Sequence, residues 1–138
     1  MKTRMLAILV GAAIVCSAIP ALAHHSFAAQ YDRSKPITLN GTVKQVDWIN
    51  PHARFFVEVK DATGKAAVWE IELGAPAMLT RQGWTRSSLK IGDTVTVNAS
   101  LAKDGSKLAN ATTVTLGDGK RVFAGSSGGD EPAPAPPK

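Results

Sequence analysis

Three histidines stand where nitrogen-ligand chemistry is conceivable: the adjacent pair His24-His25 at the edge of an apolar leader, and His52 just after a proline. If the chain is cleaved after Ala23, His24 becomes the first residue. A histidine at a free amino terminus offers two nitrogens at once, the α-amine and its own imidazole, and together they close a chelate ring on one ion. A further imidazole completes the T-shaped brace that suits Cu(II), and nitrogen donors favour copper over other first-row divalent ions. His25 can add a third nitrogen through its ring or its backbone amide. His52 follows Trp48-Ile49-Asn50-Pro51. Pro51 ends a strand and stiffens the backbone before His52, which places that ring on a rigid rim loop. The candidate metal ligands are therefore His24, His25 and His52, with copper as the ion.

The three imidazoles meet only if the N-terminal segment folds back over that rim. Plainer readings stand beside this one. A histidine pair at a chain start can simply be a soluble, mobile terminus, and His52 can hydrogen-bond within its own turn. Asp32 or Asp47 could fix a ring tautomer in space, since no acidic residue adjoins the histidines in sequence. Glu70 and Glu72 lie two apart on a strand, so they share a face, and a solvated pair on the polar side of a sheet is the expectation. Trp69 and Trp84 have the phase of core residues, which leaves Trp48 as the open aromatic. No Ser-His-Asp order, phosphate-binding glycine loop or mature thiol is present, so no catalytic residue is assigned and no enzyme is expected.

The leader itself is legible. Lys2 and Arg4 give a positive start, Met5 to Ala18 is apolar and uncharged, Pro20 breaks the run, and Ala21-Leu22-Ala23 offers small residues to a signal peptidase. The apolar run is shorter than the roughly 18–20 residues of a spanning helix. A signal peptide over residues 1–23, cleaved after Ala23, implies a periplasmic protein with no membrane span. The formal net charge of +5 falls to +3 once Lys2 and Arg4 leave, too weak and too dispersed for a nucleic-acid footprint. Cys16, the one cysteine, leaves with the leader. Disulfides and thiolate metal sites are thereby excluded from the mature chain. At the other end, residues 124–138 are a Gly/Ser/Pro-rich stretch without a large apolar side chain, expected to be disordered.

Between these ends, period-2 alternation dominates. Ile37, Leu39, Gly41 and Val43 share a face, whereas Val46 and Trp48 continue in the opposite phase. A β-bulge near Lys44-Gln45 would produce that switch. A hairpin follows, with Phe55, Val57 and Val59 on one arm and Ala67, Trp69, Ile71 and Leu73 on the other, around Asp61-Ala62-Thr63-Gly64. Residues 77–82 read as a short helix ending at Gly83, with Trp84 and Leu89 plugging the base of the core. Two more strands carry Val95, Val97 and Ala99, then Leu108 to Leu116. Strand, strand, strand, helix, strand, strand is the order of a five-stranded OB-like Greek-key barrel, here within residues 24–123 including an N-terminal extension.

The chain resembles a family of small bacterial exported proteins, domain of unknown function family 6152. The resemblance rests on His24-His25-Ser26-Phe27, Lys35-Pro36-Ile37-Thr38-Leu39, Gly41-Thr42-Val43, Trp48-Ile49-Asn50-Pro51-His52, Glu72-Leu73-Gly74, Gly83-Trp84-Thr85-Arg86 and Gly92-Asp93-Thr94-Val95-Thr96-Val97. Ala102-Lys103-Asp104-Gly105-Ser106, Ala109-Asn110-Ala111 and Val114-Thr115-Leu116 complete it. It implies an exported OB-like domain and brings no activity with it. The expectation is a monomeric, non-enzymatic periplasmic binding module that captures copper through His24, His25 and His52. The alternative is a metal-independent OB-type domain, whose face around Trp48, Arg54 and Phe56 meets a small ligand or a periplasmic protein partner. Fold analogy alone cannot extend this to nucleic acid.

Overall fold

β-Branched and aromatic residues at every second position leave this chain little choice but to pair strands and bury one face of each. The computed structural model describes residues 27–125. Its elements are β1 (Tyr31–Asp47), β2 (Arg54–Lys60), β3 (Ala66–Glu72), α1 (Pro76–Arg81), β4 (Thr94–Ala102), β5 (Leu108–Leu116) and β6 (Arg121–Phe123). The sheet order is β3-β2-β1-β4-β5-β6, and an additional parallel pairing of β3 with β5 closes five strands into a ring. This is the OB-like Greek-key barrel anticipated from the strand pattern, with its short helix between β3 and β4. Residues 1–26, which include the expected signal peptide, and residues 126–138 lie outside the described residues.

Strand β1 spans 17 residues and serves two neighbours. Its first part pairs with β4, from Tyr31↔Ala102 to Thr42↔Thr94. Its second part pairs with β2, and the register jumps from Val43↔Val57 to Gln45↔Phe56. Lys44 is the extra residue, so the predicted bulge sits where the phase changes, and it lets one strand bend from one sheet into the next. A second irregularity falls between Asp32 and Pro36, where the Asp32 carboxylate accepts hydrogen bonds from the Ser34 amide and hydroxyl. Gly41 sits where β1 crosses β2. A Cβ there would collide with the carbonyl oxygen of Glu58.

Inside the ring, Val43, Phe55, Val57, Ile71, Leu73, Val95, Val97 and Val114 are fully buried. One end is plugged by Leu79 of α1 together with Trp84 and Leu89. Gly83 turns the chain out of the helix at φ 90°, a left-handed conformation that glycine adopts without a side-chain penalty.

The structure adds one strand beyond those the pattern suggested. β6 is a three-residue return of β5, paired from Thr113↔Phe123 to Thr115↔Arg121. A run that short is below the length at which alternation can be read. It also moves the start of the expected tail. Ala124 is fully buried, its amide donates to Thr112, and its carbonyl accepts from Gly74, whose Cα packs against the Gly125 backbone. The packed chain thus continues through Gly125.

Because backbone cannot yield as a flexible side chain does, Gly41→Ala should destabilise the barrel by about 2 kcal/mol, within the usual range for overpacking. Urea denaturation measures this. A midpoint equal to that of the parent chain would show that the β1–β2 crossing tolerates a side chain.

Candidate functional site

Strict alternation on β3 turns Ile71 into the core and Glu72 out of it. Two registers decide what Glu72 meets outside. The β2–β3 hairpin sets Arg54 opposite Glu72 and Phe56 opposite Glu70, and the parallel β3–β5 seam sets Asn110 opposite Glu72. This outer surface is covered in part by an arm. Residues 27–30 are helical and lead directly into β1. Phe27 and Tyr31, one helical turn apart, pack with their ring centroids 5.2 Å apart, and join Ala102 and Leu108 in a small second apolar cluster. The arm is fastened to the β4–β5 turn by the Lys103 amide, which donates to the Gln30 carbonyl, and by the Lys103 ammonium, which donates to that of Ala28.

Beneath this arm Glu72 becomes a hub. Only 13% of its side chain is exposed. Its Oε2 accepts the Tyr31 hydroxyl at 2.9 Å. Its Oε1 accepts Asn110 Nδ2 at 3.2 Å and lies 3.1 Å from His52 Nδ1. A carboxylate withdrawn from water needs such donors, because an uncompensated buried charge is far costlier than an exposed one. Next to it, Arg54 Nη1 donates to Glu70 Oε1 at 2.6 Å. The Tyr31 phenol is pushed well above its ordinary range, first by burial and then by the negative charge of Glu72. It therefore stays a neutral donor.

The solvated pair expected of Glu70 and Glu72 is thus corrected. Glu70 is half-buried against Arg54, and Glu72 is the most enclosed carboxylate of the cluster, because the arm and β5 lie over it. Sequence spacing could not reveal this, since Tyr31 and Asn110 are 41 and 38 residues away from Glu72. The Phe27–Tyr31 spacing, one helical turn, was the one available hint that the segment ahead of β1 is structured.

His52 stands on the β1–β2 loop at the barrel rim, as anticipated, after a cis Asn50–Pro51 peptide. Its partner is Glu72 on β3 and neither Asp32 nor Asp47. Asp32 is occupied by Ser34 and Lys35, and Asp47 accepts from Gln45. A carboxylate facing Nδ1 favours the tautomer with its hydrogen there, which leaves the Nε2 lone pair available as a ligand. The His52 side chain is 31% exposed. His24 and His25 lie outside the described residues. Among the described residues no group of three or more His, Cys, Asp or Glu side chains is placed to hold a metal ion. On the alternative face, Trp48 and Phe56 are half-buried and Arg54 donates to Glu70, while Trp84 belongs to the plug.

A family model, the family of unknown function DUF6152, matches residues 12–111. The chain belongs to that family. The matched region holds the arm, the rim loop with His52, Glu72 and Asn110, and it ends before β6. No curated protein and no solved structure gives a significant match. No helix among the described residues is long and apolar enough to cross a membrane.

Tyr31 is the single tyrosine of the chain, so its ionisation can be followed by phenolate absorbance. A raised phenol pKa contributes stability that is present below the unfolded value of 10.0 and is lost as pH rises beyond it. Native protein should show no phenolate signal around that pH. The phenolate should appear only together with unfolding, and Tyr31→Phe should flatten the alkaline loss of stability. A phenol that titrates freely near its ordinary value would remove Tyr31 from the Glu72 hub.

Proposed function

We propose that the mature chain is a non-enzymatic, exported copper-binding module of the periplasm, in which His24, His25 and His52 supply the nitrogens. The observation that carries this reading is the Glu72 carboxylate 3.1 Å from His52 Nδ1. Metal-ligating histidines characteristically present one ring nitrogen to a carboxylate and the other to the ion. Glu72 fits that supporting role, and Asn110 and Tyr31 in turn hold Glu72.

Chain connectivity supports the rest. His25 precedes Phe27 by two residues. Phe27 packs on Tyr31, and Tyr31 shares the Glu72 carboxylate with His52. Phe27, the first described residue and the one that follows His24-His25-Ser26 in sequence, thus belongs to the assembly around the carboxylate that backs the loop imidazole. The positive start, the apolar run and Ala21-Leu22-Ala23 support export and cleavage that would free the amine of His24. Copper follows from an all-nitrogen donor set with an amine–imidazole chelate.

Protein recovered from the periplasm should have the intact mass of a chain starting at His24. Titrated with Cu(II), it should give an electron paramagnetic resonance spectrum with nitrogen hyperfine structure that saturates at one equivalent. One residue added ahead of His24 should abolish that signal. His52→Ala should weaken binding and change the hyperfine pattern. Glu72→Gln should cost about 10- to 100-fold in affinity, the usual effect of losing a carboxylate behind a ligating histidine. A spectrum indifferent to the added residue would sink the brace.

A further inference from the structure

Among the described residues, the end of the barrel away from α1 has no counterpart of the plug at α1. Leu79, Trp84 and Leu89 fill one end. At the other, the inward positions taper to Ala67, and Leu39, Val59 and Trp69 border a cleft of about 560 Å³. Leu39 is buried, but Val59, Ala67 and Trp69 are only half-buried. Core-phase apolar surface is thus left at a concave mouth, within the size range of small-molecule sites.

The rim of this mouth is charged asymmetrically. Asp61, Lys65 and Lys107 line it. Asp61 is occupied by its own turn: its Oδ1 accepts from the Thr63 amide and hydroxyl and from the Lys65 amide. Those bonds, led by the Thr63 hydroxyl, hold its carboxyl below the ordinary carboxylate range. Lys65 and Lys107 have no carboxylate partner among the described residues. The Lys107 ammonium sits instead 5.4 Å from the Trp69 ring centroid, a cation–π contact that parks the charge over the cleft.

We propose that this mouth binds a small amphipathic carboxylate with an unbranched aliphatic body. The aliphatic part lies against Leu39 and Val59 and is roofed by Trp69, while the carboxylate takes its charge-assisted hydrogen bonds from Lys65 and Lys107. An aliphatic body is indicated because Leu39, Val59 and Ala67 line the cleft with aliphatic surface, and the Trp69 ring already carries the Lys107 ammonium 5.4 Å from its centroid. An anionic head is indicated because the one acidic group lining the rim is engaged by its own turn, while neither ammonium group has a carboxylate partner among the described residues. This site does not depend on the copper reading, since it uses none of the same residues.

The test titrates the full chain with sodium octanoate below its micelle concentration, with amide chemical shifts and tryptophan fluorescence as readouts. Saturable shifts should map to Leu39, Val59, Ala67, Trp69 and Lys107, and octyltrimethylammonium of equal chain length should produce none. Each exposed ion pair accounts for at most about fivefold in affinity, so the double variant Lys65→Ala, Lys107→Ala should bind octanoate about tenfold more weakly. Both lysines are exposed, so the variant keeps its fold, which far-ultraviolet circular dichroism checks. Ala67→Leu should fill the mouth and abolish the shifts. Equal binding of the cationic amphiphile, unchanged affinity in the lysine variant, or the absence of saturable shifts at these residues would each overturn the proposal.

Discussion

A carboxylate drawn out of water at a strand seam governs the outer architecture of this protein. Glu72 sits where β3 meets β5 in parallel, and it is stable there only if donors arrive from several parts of the chain. Asn110 comes from β5, Tyr31 from the start of β1, and His52 from the β1–β2 loop. The arm must fold back to deliver the Tyr31 hydroxyl, and once there it buries Phe27. The Glu72 charge thus acts with the Lys103 hydrogen bonds and the Phe27–Tyr31 cluster to hold the arm against the barrel.

The barrel keeps its two jobs apart. Its interior is almost purely aliphatic around Phe55 and Trp84, and needs no polar partner to hold together. Its polar chemistry is on the outside, where Arg54, Glu70, Glu72 and His52 share one side. Ends differ as well: aromatic packing seals one, and small residues leave the other concave. A single ring of strands thus offers two chemically unlike surfaces without sharing a side chain between them.

Much of the barrel could be read from residue order because its signals are local. The phase break at Lys44 marks the bulge, Gly83 marks the helix end, and the alternation around Phe55 and Ile71 marks the hairpin. His52 was legible for the same reason, as a proline fixes its neighbour whatever the rest of the chain does. Glu72 was not. Its surroundings are assembled by pairings across dozens of residues, and alternation alone says only that it faces outward. β6 and Ala124 escaped for another reason: three residues carry no period, and a small buried alanine at the edge of a Gly/Ser-rich stretch looks like the stretch itself.

The hydrogen bond from the Gly74 amide to the Ala124 carbonyl has a consequence for the order of assembly. It lies two residues beyond Glu72, yet its acceptor is among the last residues of the packed chain. The arm that reaches Glu72 comes from the opposite extremity of the packed chain. The hub is assembled only when Tyr31 of β1 and Asn110 of β5 both reach Glu72, and the strand beside it is pinned only when Ala124 arrives. Contacts this distant along the chain also slow closure, because the intervening loops must be ordered first. A chain whose β5 has not yet docked therefore lacks the enclosed carboxylate that faces His52 Nδ1.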